Sequence, residues 1–124
     1  MKKRCEGNMS KRLNEIIDVV IGFRDARDWK QFHDPKNLTE AISIEAGELL
    51  ENFLWMTTDE SKKVDNVKLE KIKEEISDIF IYIIYLCNTL NVDLLQEVEN
   101  KIALNQKKYP ISRSKGNNKK YTEL

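Results

Sequence analysis

Glu45 and Glu48, and again Glu75 and Asp78, are acidic pairs at i, i+3 spacing inside the long stretches LTEAISIEAGELLENFLW and LEKIKEEISDIFIYIIYL. Wound as a helix at about 100° per residue, the first stretch puts Glu45 near the middle of an apolar arc. Leu38, Ala41, Ile42, Leu49 and Phe53 flank it, and Glu48 sits at the edge of the arc one turn on. The second stretch repeats the pattern, with Glu75 among Ile72, Ile79, Ile83 and Leu86. A carboxylate on a buried face is costly unless it neutralises or finds a partner. No basic residue falls between the members of either pair, so a hard divalent cation is the natural partner for four converging carboxylates. A single such pair is common in a chain that is 34% charged. Two, each embedded in an apolar arc, are much less expected by chance.

The elements that must carry these pairs read as helices throughout. There is no β-type alternation of any length, no internal repeat and no glycine-rich phosphate loop, so the fold class is all-α. Residues 1–9 read as a disordered lead-in, residues 10–110 as one helical domain, and residues 111–124 as a loose C-terminal tail rich in basic residues and asparagine. Ser10 is placed to cap a first helix over residues 11–27, with Leu13, Ile16, Val20, Phe23 and Arg27 along one side. A loop, DWKQFHDPKN, follows, with a turn at Asp34–Pro35 and Asp34 held out of helical geometry by the proline. Its Trp29, Phe32 and His33 either plug the core or stack on a ligand. Asn37 or Thr39 can cap the second helix, which should run to about Met56. TTDESKKVDNV is a polar connector with room for one helical turn. A third helix is expected over residues 68–91, and a fourth, capped by Asp93, ends near Tyr109 before Pro110. Phe80, Ile81, Ile84 and Tyr85 make the third helix apolar on nearly every side, which implies burial against further copies of the chain.

Composition narrows the chemistry. Lysine and arginine together number 21, as do aspartate and glutamate, so no global field favours a nucleic acid polymer or an anionic membrane. The longest apolar run, IFIYIIYLC, is too short to span a bilayer, and no hydrophobic stretch follows the basic N-terminus. Cys5 and Cys87 match no metal or redox spacing, in keeping with a reducing, cytoplasmic setting. The single histidine lies in the loop, which speaks against di-iron bundles, and no serine or cysteine has a histidine in a catalytic context. An all-carboxylate cluster suits Mg²⁺, with Mn²⁺ as a substitute, and Mg²⁺ typically works on substrate phosphates. Lys101, Lys107 and Lys108 could reach such phosphates, or simply favour a helix C-terminus.

The segments FRDARDWKQFHDPKNL, EAGELLENFLW, EISDIFIY, KIALNQKKYP and KYTEL occur in that order from Phe23 to Leu124. Together they resemble the MazG-like, all-α nucleoside triphosphate pyrophosphohydrolases, nearest the dCTP pyrophosphatase branch. The resemblance implies a four-helix-bundle-type subunit with long antiparallel helices, assembled as a homo-oligomer, usually a tetramer. It implies Mg²⁺-dependent hydrolysis of a nucleoside triphosphate, dCTP or a modified dCTP first, to monophosphate and pyrophosphate, as nucleotide-pool house-cleaning. On its terms Glu45, Glu48, Glu75 and Asp78 are the metal and catalytic positions. Trp29, Lys30, Gln31, Phe32, His33 and Trp55 match the base-binding stretch, Tyr82 a substrate contact, and Lys101 and Asn105 positions near phosphates and sugar. Where well-known members carry a histidine nine residues before the tryptophan, this chain has Val20, so base selectivity is the point of departure. Alternatives are a broader dNTP, dUTP or dTTP hydrolase with the same acids, and a non-catalytic helical interaction protein with a structural ion site.

Overall fold

Aspartates cap the N-termini of three of the long helices, at Asp34, Asp65 and Asp93. The computed structural model describes residues 6–124, with side chains from Arg12 onward. Helix α1 spans Glu6–Ala26. Residues 1–5 of the expected lead-in lie outside the described residues, but residues 6–9 are helical and Ser10 lies inside the helix rather than capping it. No proline interrupts that stretch, and extending a nucleated helix costs little. After a 3₁₀ turn at Lys30–Phe32, α2 runs over Pro35–Glu51. Its cap is Asp34, not Asn37 or Thr39. The Asp34 carboxylate accepts from the Asn37 amide at 2.8 Å, and Pro35 fills the first helical position, where a missing N–H costs nothing.

Helix α2 stops at Glu51, short of Met56. The Asn52 side chain donates to the Glu48 carbonyl at 3.1 Å. Tighter bonds from Phe53 to Leu50 and from Leu54 to Glu51 then wind the chain into a turn. Trp55 leaves that turn with a left-handed φ of 65°. A single-turn α3, Thr58–Ser61, is capped by Thr57, and α4, Asn66–Leu90, is capped by Asp65. Asn91, with φ 57°, ends α4 in the left-handed conformation that asparagine tolerates better than most residues.

Helix α2 packs against α4, and α1 packs against α4. The register is antiparallel for α2 and α4. His33, before α2, accepts a 3.3 Å hydrogen bond from the Thr89 hydroxyl near the end of α4, whereas Glu45 and Glu48 lie beside Glu75. Leu38, Ile72, Ile84 and Tyr85 form the small apolar core. Ile84 and Tyr85 were expected at a subunit interface, yet Ile84 is only 2% exposed within this chain. They pack inward because α1 and α2 both cover that side of α4, and the outward stripe is instead Ile76 and Phe80. The inner face of α1 is also rotated from expectation. Arg24 is buried, whereas Ile16 and Phe23 remain exposed.

The chain divides after Asn91 into two compact units, inside the span expected as one domain. In the second unit, α5 spans Leu94–Lys108, and Asp93 accepts from the Gln96 amide as its cap. The segment after Pro110 is not loose. It forms α6, Ile111–Ser114, and a 3₁₀ turn at Tyr121–Glu123. Tyr121 packs edge-on against Tyr109 at 6.0 Å, with the Lys108 ammonium over its ring. Those aromatic contacts offset the entropy cost that its polar composition implies. Among the described residues there is no strand, and no single helix is long and apolar enough to cross a membrane.

Candidate active site

Helices α2 and α4 bring three of the four acids together. One carboxylate oxygen from each of Glu45, Glu48 and Glu75 lies within 4.8 Å of the others. The i, i+3 spacing turns Glu45 and Glu48 toward α4, and Glu75 meets them from the facing helix. Glu45 Oε2 and Glu75 Oε2 are both sealed from solvent and receive no donor. Two such acceptors side by side are satisfied either by one shared proton or by a cation. The proton raises Glu45 to about 7, chiefly through a hydrogen bond with Glu75, then through burial, then through repulsion from Glu48, Asp78 and Glu75. None of the four acids forms an ion pair among the described residues. An all-oxygen, all-anionic donor set with two unsatisfied oxygens fits a hard divalent cation.

Asp78, one turn beyond Glu75, stands outside that trio and forms part of the wall of a cavity of about 370 Å³. The same wall carries Tyr82, Tyr85 and Ile81 from α4, Val19, Val20 and Phe23 from α1, and Trp29 and His33 from the loop. Burial, followed by the charges of Glu45, Asp78 and Glu48, holds the Tyr82 hydroxyl above its ordinary pKa, so Tyr82 faces the acids. Asp78, Tyr82, Tyr85 and Thr89 recur at helical spacing on α4 and connect the acid cluster to the loop. Phe23 meets Trp29 edge-on at 5.7 Å, and the Arg27 guanidinium caps Phe23 at 3.6 Å. The cavity is thus aromatic and apolar at one end and anionic at the other.

The remaining sequence candidates are more scattered. Lys30, Gln31 and Phe32 are exposed on the 3₁₀ turn, and Gln31 is occupied by the Asp28 carbonyl and carboxylate, both at 3.0 Å. Trp55 is 93% exposed and is not part of the cavity wall. Lys101 and Asn105 lie on α5 in the second unit. Sequence reasoning passed over Arg24 and Tyr85. Arg24 offers no apolar signal, and Tyr85 was one of four similar residues on a uniformly apolar helix.

A profile of the MazG-like family matches residues 41–124. The chain is 40% identical over 114 residues to dCTP pyrophosphatase 1 of Mus musculus, spanning 90% of this chain and 67% of that one. Against dCTP pyrophosphatase 1 of Homo sapiens the identity is 39% over the same shares. The crystal structure of a pyrophosphatase from Archaeoglobus fulgidus superposes with a TM-score of 0.75 at 39% identity, covering 80% of this chain and 93% of that one. The chain belongs to the MazG-like family, on its dCTP pyrophosphatase branch.

Proposed function

We propose that this protein is an Mg²⁺-dependent nucleoside triphosphate pyrophosphohydrolase that converts dCTP, or a base-modified dCTP, to the monophosphate and pyrophosphate. Its relatives make it an enzyme of the nucleoside triphosphate diphosphatase class. The observation that carries the substrate reading is the sharing of one cavity wall by Asp78 and Tyr82, beside the acids, with Trp29 and His33. A nucleotide has that same polarity, with a flat base at one end and charged phosphates at the other.

Glu45, Glu48 and Glu75, joined by Asp78, would hold the cation. Bound there, Mg²⁺, or Mn²⁺ in its place, supplies neutralising charge for the phosphoryl oxygens and acidifies a water. Glu48, the most exposed acid of the trio, takes the proton as water attacks the α-phosphorus and pyrophosphate leaves. Trp29 gives the base a flat apolar surface, a contact worth about 1–3 kcal/mol in nucleic-acid binders. The protein works as a homo-oligomer, a tetramer of this subunit, in the cytoplasm as a nucleotide-pool house-cleaner.

Pyrophosphate release from a panel of dCTP, 5-substituted dCTP, dUTP and dTTP, with Mg²⁺ or with EDTA, tests this reading. Release from dCTP that stops with EDTA is expected. Equal release from all of them would widen the substrate class, and no release from any would leave a structural ion site.

A further inference from the structure

Arg24 is the one charged side chain buried among the described residues, at 1% exposure. Its Nε and Nη2 donate to Asp25 Oδ1 at 2.9 and 2.8 Å, and its Nη1 donates to Asn88 Oδ1 at 2.9 Å. The guanidinium carbon lies 5.8 Å from the centre of the Tyr85 ring. Tyr85 in turn stacks on the His33 imidazole at 4.9 Å, tilted by 34°. The Thr89 hydroxyl fixes the His33 carbonyl from the same helix. Arg24, Tyr85 and His33 therefore form one column, and the last two are cavity wall.

His33 Nδ1 is sealed from solvent without a partner. Nε2 is the ring atom left accessible, and no described side chain or backbone group bonds to it. We propose that Arg24 is a positioning residue for ligand selection: pressed against Tyr85, it locks the His33 imidazole so that Nε2 is the polar point that reads the edge of the base. This rests on the nucleotide reading above. Burial, and then the charge of Arg24, lowers the pKa of His33 and keeps the ring neutral. With Nδ1 sealed, Nε2 is the nitrogen that a ligand can reach, and the partner it finds there sets the tautomer. A neutral imidazole offers Nε2 as a donor to a ring carbonyl or imine nitrogen, or as an acceptor from an exocyclic amine. The planar fork of arginine holds Asp25 and Asn88 at once, which a lysine cannot do.

His33 is the only histidine in the chain, so its ring signals can be followed by NMR without assignment. In R24M, which removes the charge, the His33 titration should move up toward the ordinary value, whereas R24K keeps the charge and loses only the fork, so its titration should move less. KM for dCTP should rise about tenfold, the effect of one lost hydrogen bond, with a much smaller change in kcat. H33F should raise KM by a similar factor, and R24M/H33F should add nothing further. A folded R24M protein whose His33 titration and KM match the wild type overturns the proposal, as do additive KM penalties. If R24M does not fold, N88A removes one of the two arms and is read in the same way. Wild-type protein without pyrophosphate release would sink the functional reading instead, while the NMR titration would still decide the column.

Discussion

Glu45 and Glu75, on two different helices, each seal one carboxylate oxygen from solvent where no donor reaches it. A cluster built for stability would pair these oxygens with arginine or backbone amides, because unpaired buried charge costs several kcal/mol. The repulsion is tolerable only if a cation or a proton arrives. Glu45→Gln or Asp78→Asn should therefore leave the metal-free protein as stable as the wild type, or slightly more so, by thermal melting. Turnover with Mg²⁺ should fall by at least roughly 10²-fold, since charge stabilisation is the largest catalytic contribution. A Glu45→Gln protein that unfolds, or that turns over normally, defeats the assignment.

The same pair predicts how stability depends on pH. Glu45 is raised to about 7 in the folded chain from an ordinary 4.5. Between those values the folded state holds a proton that the unfolded state has lost, so stability falls as pH rises through that window. Melting temperatures of the metal-free protein should drop from pH 5 to pH 8, and Glu45→Gln should remove part of the slope. Added Mg²⁺ should recover stability mainly at the upper end, where the carboxylates are free to bind it. A wild-type slope of the opposite sign would mean that Glu45 and Glu75 do not share a proton.

How much of this was legible in the sequence depended on the physical signal available. Glu45 and Glu75 stood out because a carboxylate inside an apolar arc breaks a strong pattern. Asp93 could be read as a cap because a turn precedes it and a helical period follows. Asp34 was misread as only a turn residue, although Pro35 after it is also a favoured helix start. Arg24 could not be found by apolarity, since its burial depends on Asp25, Asn88 and Tyr85 meeting in space. Periodicity also cannot orient a helix that is apolar on every side, so Ile84 and Tyr85 were given to a partner rather than to α1 and α2.

Trp55 should behave as a ligand-facing residue without a structural role. It is a bulky side chain in the left-handed region and almost wholly exposed, a conformation that costs an L-residue about 1–2 kcal/mol. Replacing it by glycine relieves that strain and removes little packing. Trp55→Gly should then melt within a few degrees of the wild type or above it, while KM for dCTP rises. Trp29→Ala, which strips the contact with Phe23, should instead lower both affinity and stability. A Trp55→Gly protein with a sharply lowered melting temperature would mean that its ring is core.

Assembly should be carried by the outward stripe of α4. Ile76 is 53% exposed and Phe80 37% exposed, one turn apart on the same face. Ile44 and Leu50 on α2 add further exposed apolar area. Soluble chains rarely leave so much unshielded, and a second copy of the same subunit is the partner always at hand. Phe80→Asp should therefore dissociate the oligomer while each subunit keeps its helical signal, because the new charge meets water in the free chain. Ile84→Asp should instead unfold the chain, losing about 3 kcal/mol or more, because it places an unpaired charge at a position only 2% exposed. Light scattering beside circular dichroism separates the two outcomes. A wild-type monomer at micromolar concentration, or a Phe80→Asp protein of unchanged mass, would place the subunit contact elsewhere.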